Sequence, residues 1–320
     1  MSVADEPSST PLDAILQKVL EAVPFQFTTD GGPEASRQRF RDLPRRPVHP
    51  EVRVEDRTID GPAGPIPVRL YWPPEPGATP PPVVVFIHGG GWVVGDLDTY
   101  DGAARLHAVG ADALVVSVDY RLAPEHPYPA AVDDAWAAMQ WVGENAAELG
   151  ADPSRIAVAG DSAGGNLTAV VALLARDAGG PSIRFQLLWY PATTWDPSLP
   201  SFAENADAPV LGTGAVAGLS RWYASHVDLK NPPATLAPAR AETLSGLPAA
   251  YIAVAGHDPL RDDGKRYGEL LAAAGVPVEV HNATSLVHGY LGYAGVVPAA
   301  TDATDRGLSA LRAALHPDGA

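Results

Sequence analysis

The hydrophobic residues of this chain fall into short continuous runs separated by longer amphipathic stretches. The runs Val83–Ile87 and Leu114–Val118 are almost entirely apolar, which predicts strands that are buried on both faces of a sheet. Apolar and polar residues alternate around the turn at Gly61-Pro62, which predicts two outer strands over residues 52–54 and 67–72. Further strands are predicted over residues 156–159, 185–190, 250–255 and 278–280.

Apolar residues recur at helical spacing from Leu12 to Val23, which predicts an amphipathic helix near the start of the chain. Thr10 is predicted as its N-cap and Pro11 as its first residue. Because strands alternate with helices, we predict an α/β fold with a mostly parallel sheet that helices cover on both faces. The other helices are predicted over residues 34–43, 134–149, 167–176, 214–226, 262–274 and 301–315.

The residues between Tyr190 and Ala250 fit no simple step from strand to helix to strand. Loops of that length in a compact domain usually have a function. We interpret residues 191–248 as an insertion that folds over the carboxyl edge of the sheet, together with N-terminal helices in residues 1–45. The remaining chain, residues 46–320, is the predicted catalytic domain. The alternative is that the N-terminal helices only pack against the domain and do not cover a site.

Composition excludes several classes of partner and chemistry. The chain has 320 residues, 46% of them hydrophobic, and a formal net charge of −16. We expect a large core and no nucleic-acid partner, because an acidic chain without a basic run repels polyanions. No apolar run approaches the ~20 residues of a membrane span, and no secretory signal pattern begins the sequence, so we predict a cytoplasmic protein. The absence of cysteine excludes disulfides and thiol catalysis.

The sequence Gly160-Asp161-Ser162-Ala163-Gly164 fits the G-x-S-x-G pattern of a nucleophile elbow. Where a strand reverses sharply into a helix, the side chain of the central turn residue is pushed outward. Glycines two residues before and two after it remove Cβ atoms that would collide. Ser162 would then lie at a helix N-terminus, where free N–H groups favour developing negative charge. A tight structural turn is the alternative, but the predicted strand before and helix after the motif favour a nucleophile.

A histidine followed by three glycines comes directly after the first buried strand. Consecutive glycines let the backbone approach a substrate and point N–H groups towards it. Loops of this type supply oxyanion donors together with the amide that follows the nucleophile. We therefore predict an oxyanion hole made by the amides of Gly89, Gly90 and Ala163, and a structural role for His88. A flexible turn or a phosphate-binding loop is the alternative, although G-x-G-x-x-G is not matched.

A serine nucleophile needs a base, and the base needs an acid that orients it. In this topology the acid and then the histidine follow the serine along the chain. Asp258 lies just past a predicted strand, and His288 lies in a short loop after the last one. We predict Asp258 as the acid and His288 as the base, with His257 as the rival base. Asp262 and Asp263 are predicted to cap the next helix.

Large apolar residues near these motifs are candidates for a substrate pocket, with ordinary core packing as an equal alternative for each. The candidates are Trp92, Tyr190, Val210, Leu211, Trp222 and Leu286.

These motifs resemble the hormone-sensitive lipase-like family of α/β-hydrolases over nearly the whole chain. The matching segments are residues 88–92, 119–125, 160–165, 258–262 and 288–289. The resemblance implies an α/β-hydrolase fold with an eight-stranded sheet and a helical cap. It also implies a carboxylesterase that acts on short or medium acyl esters without a cofactor or metal, and a homodimer formed through the edge of the last strand. The sequence departs from the family just before Asp258 and just before His288.

The sequence therefore favours a serine carboxylesterase that forms an acyl-enzyme. Two alternatives stay open. A small-molecule binding protein could share the fold, since fold does not fix function, although the histidine is present here. A hydrolase of amides, lactones or carbamates could use the same three residues.

Overall fold

One eight-stranded sheet forms the centre of the molecule in the computed structural model, which describes residues 10–74 and 79–317. The strands lie in the order β1-β2-β4-β3-β5-β6-β7-β8. Strand β2 runs antiparallel to both β1 and β4, and all the other pairs are parallel. The strands are β1 (Arg53–Gly61), β2 (Gly64–Trp72), β3 (Val83–Ile87), β4 (Leu114–Val118), β5 (Ile156–Asp161), β6 (Ile183–Trp189), β7 (Ala249–His257) and β8 (Val278–Val287). The predicted mostly parallel sheet is confirmed.

Helices flank both faces of the sheet. They are α1 (Ala14–Ala22), α2 (Gly32–Arg41), α3 (Asp101–Ala111), α4 (Ala130–Asn145), α5 (Ala163–Ala178), α6 (Pro200–Glu204), α7 (Thr213–Ala224), α8 (Arg261–Ala273) and α9 (Pro298–Leu315), with short 3₁₀ turns at Pro238–Arg240 and Tyr290–Tyr293. Alternate residues of β3 enter different hydrophobic clusters: Val85 and Ile87 pack in one, Val84 and Phe86 in the other. The central strands are buried on both faces for this reason.

The carboxyl ends of the central parallel strands meet at one edge of the sheet. Ile87, the last residue of β3, pairs with Gly160 of β5. The two strand ends are so close that a Cβ atom on Gly160 or Gly164 would collide with the carbonyl oxygen of Ile87. The glycines of the G-x-S-x-G sequence are thus required by the approach of a neighbouring strand.

The N-terminal residues and the segment between β6 and β7 both border the cavity above this edge. The two segments are joined directly, because the Phe27 amide donates to the Val210 carbonyl at 2.8 Å. The start of the chain is also fixed to β8 by a hydrogen bond of 2.9 Å from the Asp13 amide to the Ser285 carbonyl.

Several predicted boundaries are wrong. Strand β1 continues to Gly61 rather than ending at residue 54. Helix α1 is capped by Asp13 rather than Thr10, since the Asp13 carboxylate accepts the amides of Ile15 and Leu16, both at 2.9 Å. Helix α4 begins at Ala130, four residues early, because its apolar first turn is buried. Strand β8 extends to Val287, far beyond the predicted end, and its polar residues are tolerated because it forms the half-exposed edge of the sheet.

Arg37 of α2 ties the N-terminal helices to the rest of the molecule. Its Nε donates to the Val93 carbonyl and its Nη2 to the Ala123 carbonyl, both at 2.9 Å. The same guanidinium pairs with Glu125, whose carboxylate is half-exposed. The side chain of Arg37 is only 13% exposed, so these bonds are partly shielded from water.

We expect Arg37→Met to lower the free energy of unfolding by about 2 kcal/mol, because two backbone carbonyls lose a charged donor. Urea denaturation measures this. Arg39→Met is the matched control on the same helix, since its bond to the Asp30 carbonyl is exposed to solvent. Its loss should stay within about 0.5 kcal/mol. Equal losses in the two variants would contradict the tethering role of Arg37.

The hydrogen bond from Arg37 lowers the pKa of Glu125 to about 2. Because the folded-state pKa is depressed, the stabilisation is present above the ordinary value of 4.5 and is lost as pH falls towards 2. The free energies of unfolding of wild type and Glu125→Gln, obtained from thermal melting, should differ at pH 7 by less than about 1 kcal/mol, since the ion pair is half-exposed. That difference should shrink between pH 5 and pH 2.5. A constant difference over this range would contradict the assignment.

Candidate active site

Three residues from distant parts of the chain form one continuous line of hydrogen bonds. His288 Nε2 lies 2.9 Å from Ser162 Oγ, and His288 Nδ1 lies 2.8 Å from Asp258 Oδ2. A carboxylate can only accept, so Nδ1 carries the proton and Nε2 is free to accept the serine hydroxyl. Asp258 is fully buried, and its Oδ1 accepts the Leu260 amide at 2.8 Å. The arrangement places an acceptor nitrogen of His288 within hydrogen-bond distance of the serine hydroxyl.

Strand ends hold each of these side chains in place. Ser162 follows β5 with φ 54° and ψ −117°, a strained conformation that turns its side chain out of the strand. Its amide donates to the Trp189 carbonyl at 2.8 Å, and α5 begins at the next residue. His288 directly follows β8, and its ring packs edge-on against the ring of Tyr190 at 4.8 Å.

The rival histidine has a different partner. His257 is the last residue of β7, and its Nε2 donates to the Thr10 carbonyl at 3.1 Å. The histidine that contacts Ser162 is His288, so the structure places the rival outside the line of hydrogen bonds.

The glycine loop after β3 differs from its prediction in one residue. The Gly89 amide donates to Asp161 Oδ1 at 2.8 Å, so this N–H is already engaged and the predicted role of Gly89 as an oxyanion donor is corrected. Gly90 and Gly91 line the cavity beside Ser162, whereas Gly89 does not. The amides of Gly90, Gly91 and Ala163 donate to no protein acceptor in the described parts of the chain. These three amides are available to a ligand.

Two segments hold this loop from behind. Tyr120 donates its hydroxyl to the His88 carbonyl at 2.9 Å, and the two rings stack at 4.3 Å. The Ala123 amide donates to the Trp92 carbonyl at 2.8 Å. Burial lowers the pKa of His88 to about 4, so this histidine is neutral at physiological pH. It lies outside the cavity wall, as expected for a residue that supports the loop.

A cavity of about 1680 Å³ opens beside Ser162 and His288, and its walls are mainly apolar. Of the predicted pocket residues, Trp92, Tyr190, Val210 and Leu211 line this cavity. Two predictions are corrected: Trp222 lies on the face of α7 that packs against the core, and Leu286 is 1% exposed inside the core. Lining residues that the sequence did not indicate include Phe27, Phe40, Tyr100, Trp195, Phe202 and Leu219.

A family model described as an alpha/beta hydrolase fold matches residues 84–292. The chain belongs to the α/β-hydrolase family. It is 69% identical to the esterase LipI of Mycobacterium tuberculosis over 316 residues, which cover 98% of each chain. It is 59% identical to the carboxylesterase NlhH of the same species, covering 95% of this chain and 97% of the relative. The resemblance to hormone-sensitive lipase-like enzymes is confirmed by these matches.

Solved structures agree with this assignment. The crystal structure of DphMB1 superimposes with a TM-score of 0.93 at 71% identity, covering 95% of this chain and 99% of that one. The hyperthermophilic esterase from the archaeon Pyrobaculum calidifontis superimposes with a TM-score of 0.85 at 38% identity, again covering 95% and 99%.

Backbone strain in this α/β-hydrolase is concentrated at the cavity. Seven residues other than glycine have a positive φ in the part of the chain that the structure describes, and five of them line the cavity. Those five are Trp92, Ser162, Tyr190, Trp195 and Val210. Such conformations persist only where surrounding contacts impose them, and they cluster at functional sites.

The two acidic residues at the start of α8 hold the segment between β6 and β7 rather than their own helix. Asp263, which is 1% exposed, accepts the amides and hydroxyls of both Thr193 and Thr194. Asp262 accepts the Ser201 amide at 2.9 Å. The prediction that they cap α8 is therefore wrong, because the segment packed over the helix supplies donors for both carboxylates.

No group of histidine and acidic side chains within residues 10–74 and 79–317 has the arrangement needed to hold a metal ion. Within the same residues, each helix is too short or too polar to cross a bilayer.

We expect Asp263→Ala to lower the free energy of unfolding by about 3 kcal/mol, because buried amides and hydroxyls lose their acceptor. Asp263→Asn should lose less than about 1 kcal/mol, since its carbonyl oxygen can still accept both amides. Burial raises the pKa of Asp263, so the ionised carboxylate is costly at neutral pH and the neutral amide is not. Chemical denaturation measures both variants. Losses of the same size would show that charge, rather than hydrogen bonding, is what the segment requires.

Proposed function

We propose that this α/β-hydrolase is a serine carboxylesterase in which Ser162 is the nucleophile, His288 the general base and Asp258 the orienting acid. The observation that carries the proposal is the unbroken line of hydrogen bonds from Ser162 to Asp258 at the wall of an apolar cavity. Relatives named esterase and carboxylesterase, at 69% and 59% identity, support an ester as the substrate.

In the first step, Ser162 Oγ attacks the carbonyl carbon of the ester while His288 Nε2 takes the hydroxyl proton. The imidazolium that forms is stabilised by Asp258, which is fully buried and hydrogen-bonded to Nδ1. His288 then gives the proton to the departing alcohol, and an acyl group remains on Ser162. Water activated by the same histidine releases the acid and restores the serine.

Negative charge on the ester oxygen would be stabilised by the amides of Gly90, Gly91 and Ala163. Each borders the cavity and has no acceptor among the residues that the structure describes, and Ala163 begins a helix whose N-terminal dipole favours an anion. One such donor is typically worth ~10²–10³ in rate. His88 would serve this loop structurally, through its contacts with Tyr120.

Residues 1–45 and 191–248 are proposed to form a cap over a catalytic domain made by residues 46–320. Support comes from the cavity, which both segments border in the described residues, and from the bond between Phe27 and Val210 that joins them. The cap would exclude water from the acyl-enzyme except for the attacking molecule.

The substrate class proposed is short- to medium-chain acyl esters, bound without a cofactor or metal. The apolar walls support acyl chains and disfavour charged ones.

A cytoplasmic location is proposed from the lack of cysteine. A homodimer through the edge of β8 is also proposed, since Val280 on that edge strand is 39% exposed.

The alternatives carry less support. A binding protein would have no need for a histidine held between serine and aspartate in a reactive tautomer. Hydrolysis of amides, lactones or carbamates would use the same groups, and nothing in the cavity wall favours a poorer leaving group over an alcohol.

We expect Ser162→Ala to lower kcat on p-nitrophenyl butyrate by at least ~10⁴-fold, because the acyl-enzyme forms on the Ser162 hydroxyl. The variant should also lose covalent labelling by a fluorophosphonate, measured by mass spectrometry. Ser154→Ala is the control, since its hydroxyl donates to Asp152 in the exposed loop before β5, at the opposite end of that strand from Ser162. Activity or labelling that survives in Ser162→Ala would exclude the proposed nucleophile.

We also expect kcat/KM to rise with acyl length in a series of p-nitrophenyl esters from acetate to hexanoate. Each CH₂ buried in the apolar cavity contributes about 0.8 kcal/mol, or about fourfold. Anilides and lactones of matched chain length test the alternative reactions. A rate that is highest on acetate and falls with every added carbon would contradict an apolar acyl site, and faster anilide hydrolysis would favour an amidase.

A further inference from the structure

The residue before the nucleophile is a buried carboxylate that the hydrolytic steps do not use. Asp161 is 4% exposed and lies at the wall of the cavity. The elbow pattern leaves this position free, so the turn itself does not require an acid there. Burial raises the pKa of Asp161 to about 6, although the Gly89 amide and His288 both act against the rise. A carboxyl group buried at this cost calls for a physical reason.

The contacts of Asp161 supply that reason. Its Oδ1 accepts the Gly89 amide at 2.8 Å, and its Oδ2 accepts the Tyr100 hydroxyl at 3.2 Å. A Cβ atom on Gly89 would lie 2.5 Å from Oδ2 of Asp161 and 2.7 Å from its backbone carbonyl oxygen, so only glycine fits beside this residue. The first of the three glycines therefore makes room for Asp161 rather than for a substrate.

The next two residues of the loop have unusual backbone conformations. Gly90 has φ 102° and Gly91 has φ 61°, in the region that favours glycine. Each N–H lies in the peptide plane that it shares with the preceding carbonyl, and both planes are held within the loop: the Gly89 carbonyl accepts His88 Nδ1 at 2.8 Å, and the Gly90 carbonyl accepts the amides of Val93 and Val94. The bond from the Gly89 amide to Asp161 has a different effect, because it ties the whole loop to the residue before the nucleophile.

We propose that Asp161 is a positioning residue for the oxyanion hole, since it holds the Gly89 amide beside the nucleophile and thereby sets how far the amides of Gly90 and Gly91 lie from Ser162. The inference rests on the proposed function, which supplies the nucleophile and these donors. Asp161 makes no contact with the reacting atoms in this role. It acts through the loop.

Other anchors limit the effect of losing this one. Tyr120 holds the His88 carbonyl on one side of the glycines, and the Ala123 amide holds the Trp92 carbonyl on the other. Without Asp161 the loop should keep its internal conformation, while its amides shift relative to Ser162. A loss smaller than that of a complete oxyanion hole follows, because misplacement by about 1 Å costs ~10²-fold in rate.

The test compares Asp161→Ala with Asp161→Asn. An asparagine can accept the Gly89 amide through its carbonyl oxygen and donate its NH₂ group to the Tyr100 hydroxyl, so it restores both bonds without a charge. We expect kcat to fall about 100-fold in Asp161→Ala, with KM changed less than threefold. In Asp161→Asn the fall in kcat should stay below about tenfold.

Binding of two inhibitors separates alignment of the donors from general damage. A trifluoromethyl ketone forms a tetrahedral oxyanion with Ser162, whereas the matching methyl ketone binds without it. In Asp161→Ala the affinity for the trifluoromethyl ketone should fall in parallel with kcat, and that for the methyl ketone should change less than threefold. A disturbance of the fold would weaken both inhibitors alike, and that result would overturn the proposal.

Asp152→Ala is the matched control for stability. Asp152 lies in the loop before β5, at the opposite end of the strand from Ser162, where it bonds to Ser154 and Arg155. Asp152→Ala should lower the melting temperature without changing kcat.

Wild-type kcat in Asp161→Ala, or equal losses of kcat in the alanine and asparagine variants, would overturn the positioning role. Failure of the proposed function is a separate result, namely activity that persists in Ser162→Ala.

Discussion

The close approach of the carboxyl ends of β3 and β5 is the constraint on which the site depends. Ile87 and Gly160 are paired, and a Cβ atom on Gly160 or Gly164 would enter the space of the Ile87 carbonyl. Two chain segments thus leave the sheet side by side, one carrying Ser162 and the other the glycine loop. Parallel strands place their ends at a common edge, and glycine lets these two ends come within reach of the same ester group.

Buried carboxylates then fix the loops that leave this edge. Asp134, Asp161, Asp258 and Asp263 are each at most 4% exposed, and each accepts at least one backbone amide from a nearby loop. A carboxylate offers about four acceptor sites in two directions, so one side chain can hold two segments together. Their desolvation is costly, but removal would leave buried amides unpaired. In a chain with net charge −16, these four acids are structural connections rather than surface charge.

The sequence predicted those features that local chemistry determines. The apolar runs of β3 and β4 are continuous because both faces are buried, and the predicted limits match the structure. The order of serine, acid and histidine follows from the topology of strand ends. Strand β8 was predicted too short because an edge strand needs no apolar run. The hydrogen-bond partner of the Gly89 amide could not be predicted either. Asp161 is 72 positions away along the chain, and the pairing of β3 with β5 brings the two residues together.

The wall of the cavity was hardest to predict because its residues obey no local pattern. Val210, a β-branched residue, has φ 71°, which its own preference opposes. Its carbonyl accepts the Phe27 amide from the N-terminal segment, so a contact between two distant segments holds it there. Tyr190 has φ 37° while its amide donates to the Ala253 carbonyl of the next strand. The shape of the cavity therefore depends on strained backbone that long-range hydrogen bonds hold in place. A change in substrate range could follow from altering those bonds without changing any side chain in the wall.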